Sequence, residues 1–502
     1  MGLVNSGQKE EDRCVMHART SRPARSSARS GSPSNAQLAA SLHHRPVRVA
    51  RALARSRHSG VLFVAGSPAR AALMAFMVIM GFFTALLKLP VAAEEGQSTS
   101  FVDAMFTAIS AVSVTGLTVV NTAEHWSFAG QAIILVGIQI GGLGILSTGG
   151  LLGLAVSRRL GLRSRLVTQE GMTTGRLGEV KQLLLTVVIT SLTFEALLAL
   201  VLVPRFIAAT GSFAEGLWQG TFYSVSAFNN AGFTLHPEGF GAYVDDPWII
   251  WAVMIGVMLG SLGFPVVLVL HRCLWHRGKL NLHTKITLEM TAALLLLGAV
   301  LLGWFEWDNR DTLGEMSIGE RLQFALFAST MTRSGGFSVY DMNDQNPESL
   351  LLMDALMFVG GGSGSTAGGI KVTTLAVLLL AIIAEARGAE EVTSHHRTIN
   401  AATIRVAIAV VMAAATLILV ATMVLLAMTH EPLHRVMFET LSAFGTVGLT
   451  TGLSEDLPPA GRIVLSLLMF AGRVGTITFA AGLALRQRRT LYRHPEERPI
   501  IG

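Results

Sequence analysis

Apolar residues along this chain come in long unbroken runs separated by short polar connectors. Eight runs reach the ~20 residues that one crossing of a bilayer requires: 71–92, 128–156, 183–204, 248–271, 286–305, 350–384, 402–428 and 461–485. A helix that is apolar all round has no face for water, so these runs predict membrane spans and an all-α polytopic protein. Between them lie four semi-apolar stretches, 101–116, 217–232, 321–336 and 433–448. At about 15 residues they are too short to cross. They predict helices that enter the membrane part-way and turn back.

Composition agrees. Of 502 residues, 51% are hydrophobic and 14% charged, where a soluble domain carries about 25% charged residues. That excludes a cytosolic enzyme and a disordered hub. Cys14 and Cys273 alone exclude a disulfide framework and a thiolate metal site. The connectors on one side, with both termini, hold 30 Lys/Arg and 10 acids; those on the other hold 5 and 20. The positive-inside rule therefore puts both termini in the cytoplasm and the four short segments on the outer side. Residues 1–70 carry twelve Lys/Arg against three acids, with much Ser, Ala and Pro, and read as a disordered basic cytoplasmic tail. Residues 487–502 read as a second one. The net charge of +6 is concentrated in such segments, which points to anionic membrane lipid or a regulatory subunit as contacts, not nucleic acid.

The four short segments align without gaps on one glycine each: Gly116, Gly232, Gly336 and Gly448. Six residues earlier stands a hydroxyl, at Ser110, Ser226, Thr330 and Ser442; ten earlier stand Phe106, Phe222, Leu326 and Phe438. One residue later come Leu117, Phe233, Phe337 and Leu449, then a hydroxyl again at Thr118, Thr234, Ser338 and Thr450. The chain thus divides into four span–half-helix–span repeats, 71–157, 183–276, 286–385 and 402–486. Two crossings per repeat give all four the same orientation, which predicts a pseudo-fourfold axis along the membrane normal. Non-helical backbone at membrane depth is tolerated only when buried in protein or lining a watery cavity. A ring of backbone carbonyls at such turns replaces the hydration shell of a cation, and the inward C-terminal ends of the half-helices favour one too. No ring of acids occupies the aligned positions, and Arg333 is expected to brace its loop.

The runs Ser113-Val114-Thr115-Gly116-Leu117-Thr118, Ile138-Gln139-Ile140-Gly141-Gly142-Leu143-Gly144, Asn229-Asn230-Ala231-Gly232-Phe233 and Thr332-Arg333-Ser334-Gly335-Gly336-Phe337 resemble the Trk/Ktr/HKT superfamily of potassium transporters. Gly360 to Lys371 is similar to that family's intramembrane loop, and Gly472-Arg473-Val474-Gly475 to its last span. The resemblance covers about residues 70–490 and looks more like the Ktr-type pore subunit than the longer Trk type. It implies potassium, with sodium as the alternative, at a filter of Val114, Thr115 and Gly116; Asn230, Ala231 and Gly232; Ser334, Gly335 and Gly336; and Thr446, Val447 and Gly448. It implies no cofactor on this chain. It also implies a homodimer on a KtrA/TrkA-like cytoplasmic ring of nucleotide-binding regulatory subunits, in the bacterial cytoplasmic membrane. A serine at the first filter position goes with sodium-permeable plant relatives; Gly116 favours potassium.

The run 350–384 is interrupted by glycines between Gly360 and Gly369, each costing a helix about 1 kcal/mol relative to alanine. It predicts two half-helices and a polar loop, 360–370, below the third filter segment. Gly362, Ser363, Gly364, Ser365 and Thr366 are expected to obstruct the passage and move to open it. Arg473 lies within an apolar span, where a charge usually faces a cavity or a partner; loop carbonyls or an acid are its expected partners. Potassium uptake is the predicted function. A sodium-selective pore, a sodium- or proton-coupled carrier and a membrane scaffold are the rivals.

Overall fold

The computed structural model describes residues 68–94, 96, 98–159, 177–276 and 278–475. The tail expected over 1–70 (apart from its last three residues), that over 487–502 and the end of the last predicted span lie outside them. The described chain is helical but for one two-stranded hairpin, Thr393–Ser394 paired with Arg397–Thr398.

Over its described residues each predicted run coincides with helix, 350–384 as two helices on either side of the glycine-rich loop. We number α1 Pro68–Leu87, α2 Phe101–Ser113, α3 Phe128–Arg159, α4 Leu177–Thr210, α5 Phe213–Asn229, α6 Pro247–Leu262, α7 Phe264–His276, α8 Leu282–Glu306, α9 Ile318–Met331, α10 Pro347–Phe358, α11 Val372–Ala386, α12 Ala401–Thr429, α13 Leu433–Gly445 and α14 Pro459–Phe470. The four short segments are α2, α5, α9 and α13. Polar residues set the starts: Ser317 and Glu320 form a reciprocal capping box on α9, Asn281 caps α8 through the Thr284 N–H at 2.8 Å, and Asp246 caps α6. Among the described residues, Leu185–Thr210, Leu282–Glu306 and Ala401–Thr429 are unbroken helices long and apolar enough to cross a membrane. Leu73–Leu87, Phe128–Gly144 and Val372–Ala386 are shorter apolar helices.

One expectation is corrected. The run 248–271 is not a single straight helix: it breaks at Gly263, and α6 and α7 diverge by 101°. Gly263 has φ 93°, a conformation that a β-carbon resists. Pro265 cannot donate a helical hydrogen bond. The Phe264 N–H, freed by the turn, donates to the Gly364 carbonyl at 3.0 Å. The break is thus where the glycine-rich loop docks.

Polarity is distributed inside out. Val78, Phe82, Leu200, Leu296, Val300 and Met423 are each more than half exposed on long helices, whereas Ser110, Ser226, Asn229, Thr446 and Arg473 are buried. Such a surface suits hydrocarbon and not water. Three apolar clusters join successive parts of the chain. Phe76 and Val112 pack with Phe222 and Phe233; Phe206 and Tyr223 with Phe324 and Phe337; Phe106 and Leu117 with Phe438 and Leu449. In the last of these, α14 lies against α2, and Arg462 pairs with Asp103 across 359 positions.

Candidate functional site

Each short helix ends in a turn of unusual backbone. Val114, Asn230, Ser334 and Thr446 have φ 56°, 62°, 85° and 47°, and two residues on, Gly116, Gly232, Gly336 and Gly448 have φ 90°, 69°, 74° and 96°. The left-handed region costs an L-residue roughly 1–2 kcal/mol, and for β-branched Val114 and Thr446 it is a true outlier. Backbone hydrogen bonds enforce it. In three turns the residue before the glycine donates to the carbonyl six before it: Thr115 to Ser110 at 2.8 Å, Ala231 to Ser226 at 2.7 Å and Val447 to Ser442 at 2.9 Å. The third turn differs, with Gly335 and Gly336 both donating to the Met331 carbonyl.

The repeated hydroxyls take part directly. Ser110 Oγ accepts from the Gly116 N–H, and Ser442 Oγ from the Gly448 N–H, both at 3.1 Å. Ser226 instead donates to the Phe233 carbonyl at 3.2 Å, and Thr330 to Leu326 at 2.8 Å.

The four turns meet. A β-carbon on Gly116 would strike the Ala231 carbonyl, and one on Gly232 would lie 3.0 Å from the Gly336 Cα. One on Gly336 would strike the Val447 carbonyl, and one on Gly448 the Thr115 carbonyl. Each glycine therefore abuts the next in chain order, and the fourth abuts the first. The ring is closed by backbone alone. All twelve residues expected there, Val114 to Gly116, Asn230 to Gly232, Ser334 to Gly336 and Thr446 to Gly448, are buried together. The hydroxyl residues two past the glycines, Thr118, Thr234, Ser338 and Thr450, are half-buried.

The glycine-rich loop lies against this ring. It is pinched at its base by Gly360 N–H on the Ile370 carbonyl, 2.9 Å, and Val372 N–H on that of Gly361, 3.1 Å. Gly362 and Thr366 donate to the carbonyls of Ser261 and Gly260 at the end of α6. The loop touches three turns, not the third alone. Thr366 Oγ1 donates to Asn230 Oδ1 at 2.9 Å and the Gly368 N–H to Ser334 Oγ at 3.4 Å, and a β-carbon on Gly368 would strike Thr446 Oγ1; Ser334 Oγ in turn donates to the Thr446 carbonyl at 2.7 Å. Ser363 and Gly364 are half-buried, while Gly362, Ser365 and Thr366 are buried. Arg473 sits in a five-residue π-turn, Ala471–Gly475, and donates to the Thr366 carbonyl. Lys371 Nζ donates to the carbonyls of Ala367, 2.6 Å, and Gly368, 3.3 Å. Two basic side chains thus occupy three consecutive loop carbonyls. Arg333 braces its turn as expected, donating to the Thr291 carbonyl of α8 at 2.7 Å.

Several buried residues supporting the ring escaped the sequence. Tyr223 and Glu439 stand nine positions before Gly232 and Gly448 and hold the chain leaving each turn. The Tyr223 hydroxyl accepts from Leu235 N–H at 3.1 Å, and Glu439 Oε1 from Ser454 N–H at 3.0 Å and Thr450 Oγ1 at 2.6 Å. The aligned positions carry Thr107 and Phe327, so no shared chemistry marked the column.

The family profile described as TrkH, cation transport protein, matches residues 54–488. Ktr system potassium uptake protein B of Vibrio alginolyticus is 36% identical over 439 residues, 87% of this chain and 95% of that protein. Potassium/sodium uptake protein NtpJ of Enterococcus hirae is 36% identical over 445 residues, 87% of this chain and 97% of that protein. The crystal structure of the potassium transporter TrkH from Vibrio parahaemolyticus shares the fold, with a TM-score of 0.63 at 19% identity over 80% of this chain and 83% of that one. The chain therefore belongs to the TrkH cation transport family, whose members are transporters and not enzymes.

Proposed function

We propose that this protein takes up potassium across the bacterial cytoplasmic membrane through the ring of glycine turns. The observation that carries the reading is the contact of Gly116, Gly232, Gly336 and Gly448 in one closed, side-chain-free ring with left-handed backbone at two positions per turn. In this reading the carbonyls of Val114, Thr115, Asn230, Ala231, Ser334, Gly335, Thr446 and Val447 replace the water around the ion. Eight spans, two of them broken, arrange four like-oriented repeats about the passage, and both termini face the cytoplasm. The ion then meets the loop from Gly362 to Thr366. That loop is the gate: its carbonyls are held by Lys371 and by Arg473, whose fixed positive charge repels a permeating cation. Opening withdraws loop and charges together, and the inside-negative potential drives entry with about 2.3 kcal/mol per charge for each 100 mV. In this reading the protein is a homodimer on a cytoplasmic nucleotide-binding ring; the naming of two relatives as Ktr system potassium uptake protein B supports a partner regulatory subunit.

The test is rescue of a potassium-uptake-deficient bacterium on low potassium, with Gly232→Ala and Gly448→Ala in parallel. Growth restored by the native chain and lost in both variants is expected; absence of rescue by well-expressed native protein removes the assignment. Sodium is the second reading, favoured by the relative named for both ions. Uptake of rubidium, measured against increasing sodium, decides between them.

A further inference from the structure

We propose that Glu195 is a positioning residue for ion selection: through Asn229, its carboxylate sets where the carbonyls of the second glycine turn stand. The inference rests on the potassium reading above and assigns a part to an acid that the pathway itself does not use.

Glu195 lies in apolar α4 and is 5% exposed. An ionisable group in such a helix is costly unless partnered. Its partners come from two other elements. Glu195 Oε1 accepts from Gln139 Nε2 of α3 and from Asn229 Nδ2, the last residue of α5, both at 3.0 Å. Asn229 Nδ2 also reaches Gln139 Oε1 at 3.1 Å, so the three side chains close a triangle. Room for it is made on α3 by Gly142, where a β-carbon would collide with the Asn229 side chain. The triangle grips the turn at its root, because the next residue is Asn230 with φ 62°. Asn230 is in turn held from the opposite side by Thr366.

The other turns are not built this way. At the same position Ser113 bonds locally to the Ile109 carbonyl at 2.6 Å, Arg333 reaches Thr291, and Gly445 has no side chain. The second turn alone is tied at this position to a buried acid on a neighbouring helix. Gln139 could satisfy Asn229 without it. Glu195 Oε1 gives the Asn229 amide a second acceptor, on another helix, which fixes a geometry that Gln139 alone would leave looser.

The experiment measures rubidium uptake by the full-length protein in the deficient bacterium, at matched membrane abundance, for half-saturation and for inhibition by sodium. Glu195→Ala is expected to raise half-saturation about tenfold and to weaken discrimination against sodium comparably, the effect of leaving one buried donor without its acceptor. Glu195→Gln, which keeps an oxygen acceptor, should restore both to within about twofold. A merely structural role would lower abundance or maximal rate and leave both parameters where they were. That result, or equal losses in the two variants, overturns the proposal. If Glu195→Ala fails to reach the membrane, Asn229→Ala cuts the same link from the other end, and unaltered kinetics there are equally fatal. A native protein that takes up no rubidium defeats the underlying potassium reading; native uptake with unmoved variants defeats this inference alone.

Discussion

Ser110 Oγ accepts the backbone N–H of Gly116 at 3.1 Å, and the same bond recurs between Ser442 and Gly448. A serine inside a helix thus supports a residue that has left it. Ser110→Ala would leave a buried N–H without that acceptor, at about 1–3 kcal/mol. We expect a lower thermal midpoint in detergent and weaker rubidium affinity. Ser226→Ala should move affinity less, because Ser226 serves the Phe233 carbonyl. Equal effects at both positions would contradict this division of labour.

Two glycines of similar backbone conformation make a controlled comparison. Gly448 has φ 96° and no room for a β-carbon, whereas Gly239 has φ 68° and nothing within 4 Å. Alanine at Gly239 incurs only the backbone cost, roughly 1–2 kcal/mol, and uptake should persist. Alanine at Gly448 adds a collision with the Thr115 carbonyl and should reduce uptake at least tenfold, by analogy with ~1.4 kcal/mol per decade. Parallel transport assays on matched membranes settle the contrast.

Much of this arrangement is legible in the sequence. The glycine and hydroxyl columns locate the turns, and the glycine-rich run locates the loop. What the columns hide is the residue two before each glycine: Val114, Asn230, Ser334 and Thr446 share a left-handed conformation but no side-chain chemistry. That conformation is imposed by helix ends and neighbouring turns, so nothing local announces it. The break at Gly263 is hidden differently. Its flanks are uniformly apolar, and hydropathy counts length without seeing direction. Gly263 and Pro265, two apart, were the available sign.

The proposed gate makes a further demand on Arg473. Removing its side chain frees the Thr366 carbonyl and, in the proposed function, takes a fixed positive charge from the passage. Arg473→Ala should raise maximal rubidium influx severalfold, and deletion of 361–368 should raise it at least as much. Unchanged influx in both would take the loop out of the gating account.

Asp103 and Arg462 have side chains 17% and 18% exposed. Breaking this pair by Asp103→Ala should cost about 1–3 kcal/mol, as for hydrogen bonds to charged groups. Exchanging the two residues should recover part of the loss. Thermal unfolding of the single and exchanged variants measures the difference.

That ion pair also bears on how the molecule is made. The fourth turn and Arg462 are synthesised after the other three turns, and only then do Gly448 and Arg462 reach back to Gly116 and Asp103. A nascent chain halted after the third turn therefore holds an open arc, in which Gly336 and Gly116 both still lack the neighbour that Gly448 provides.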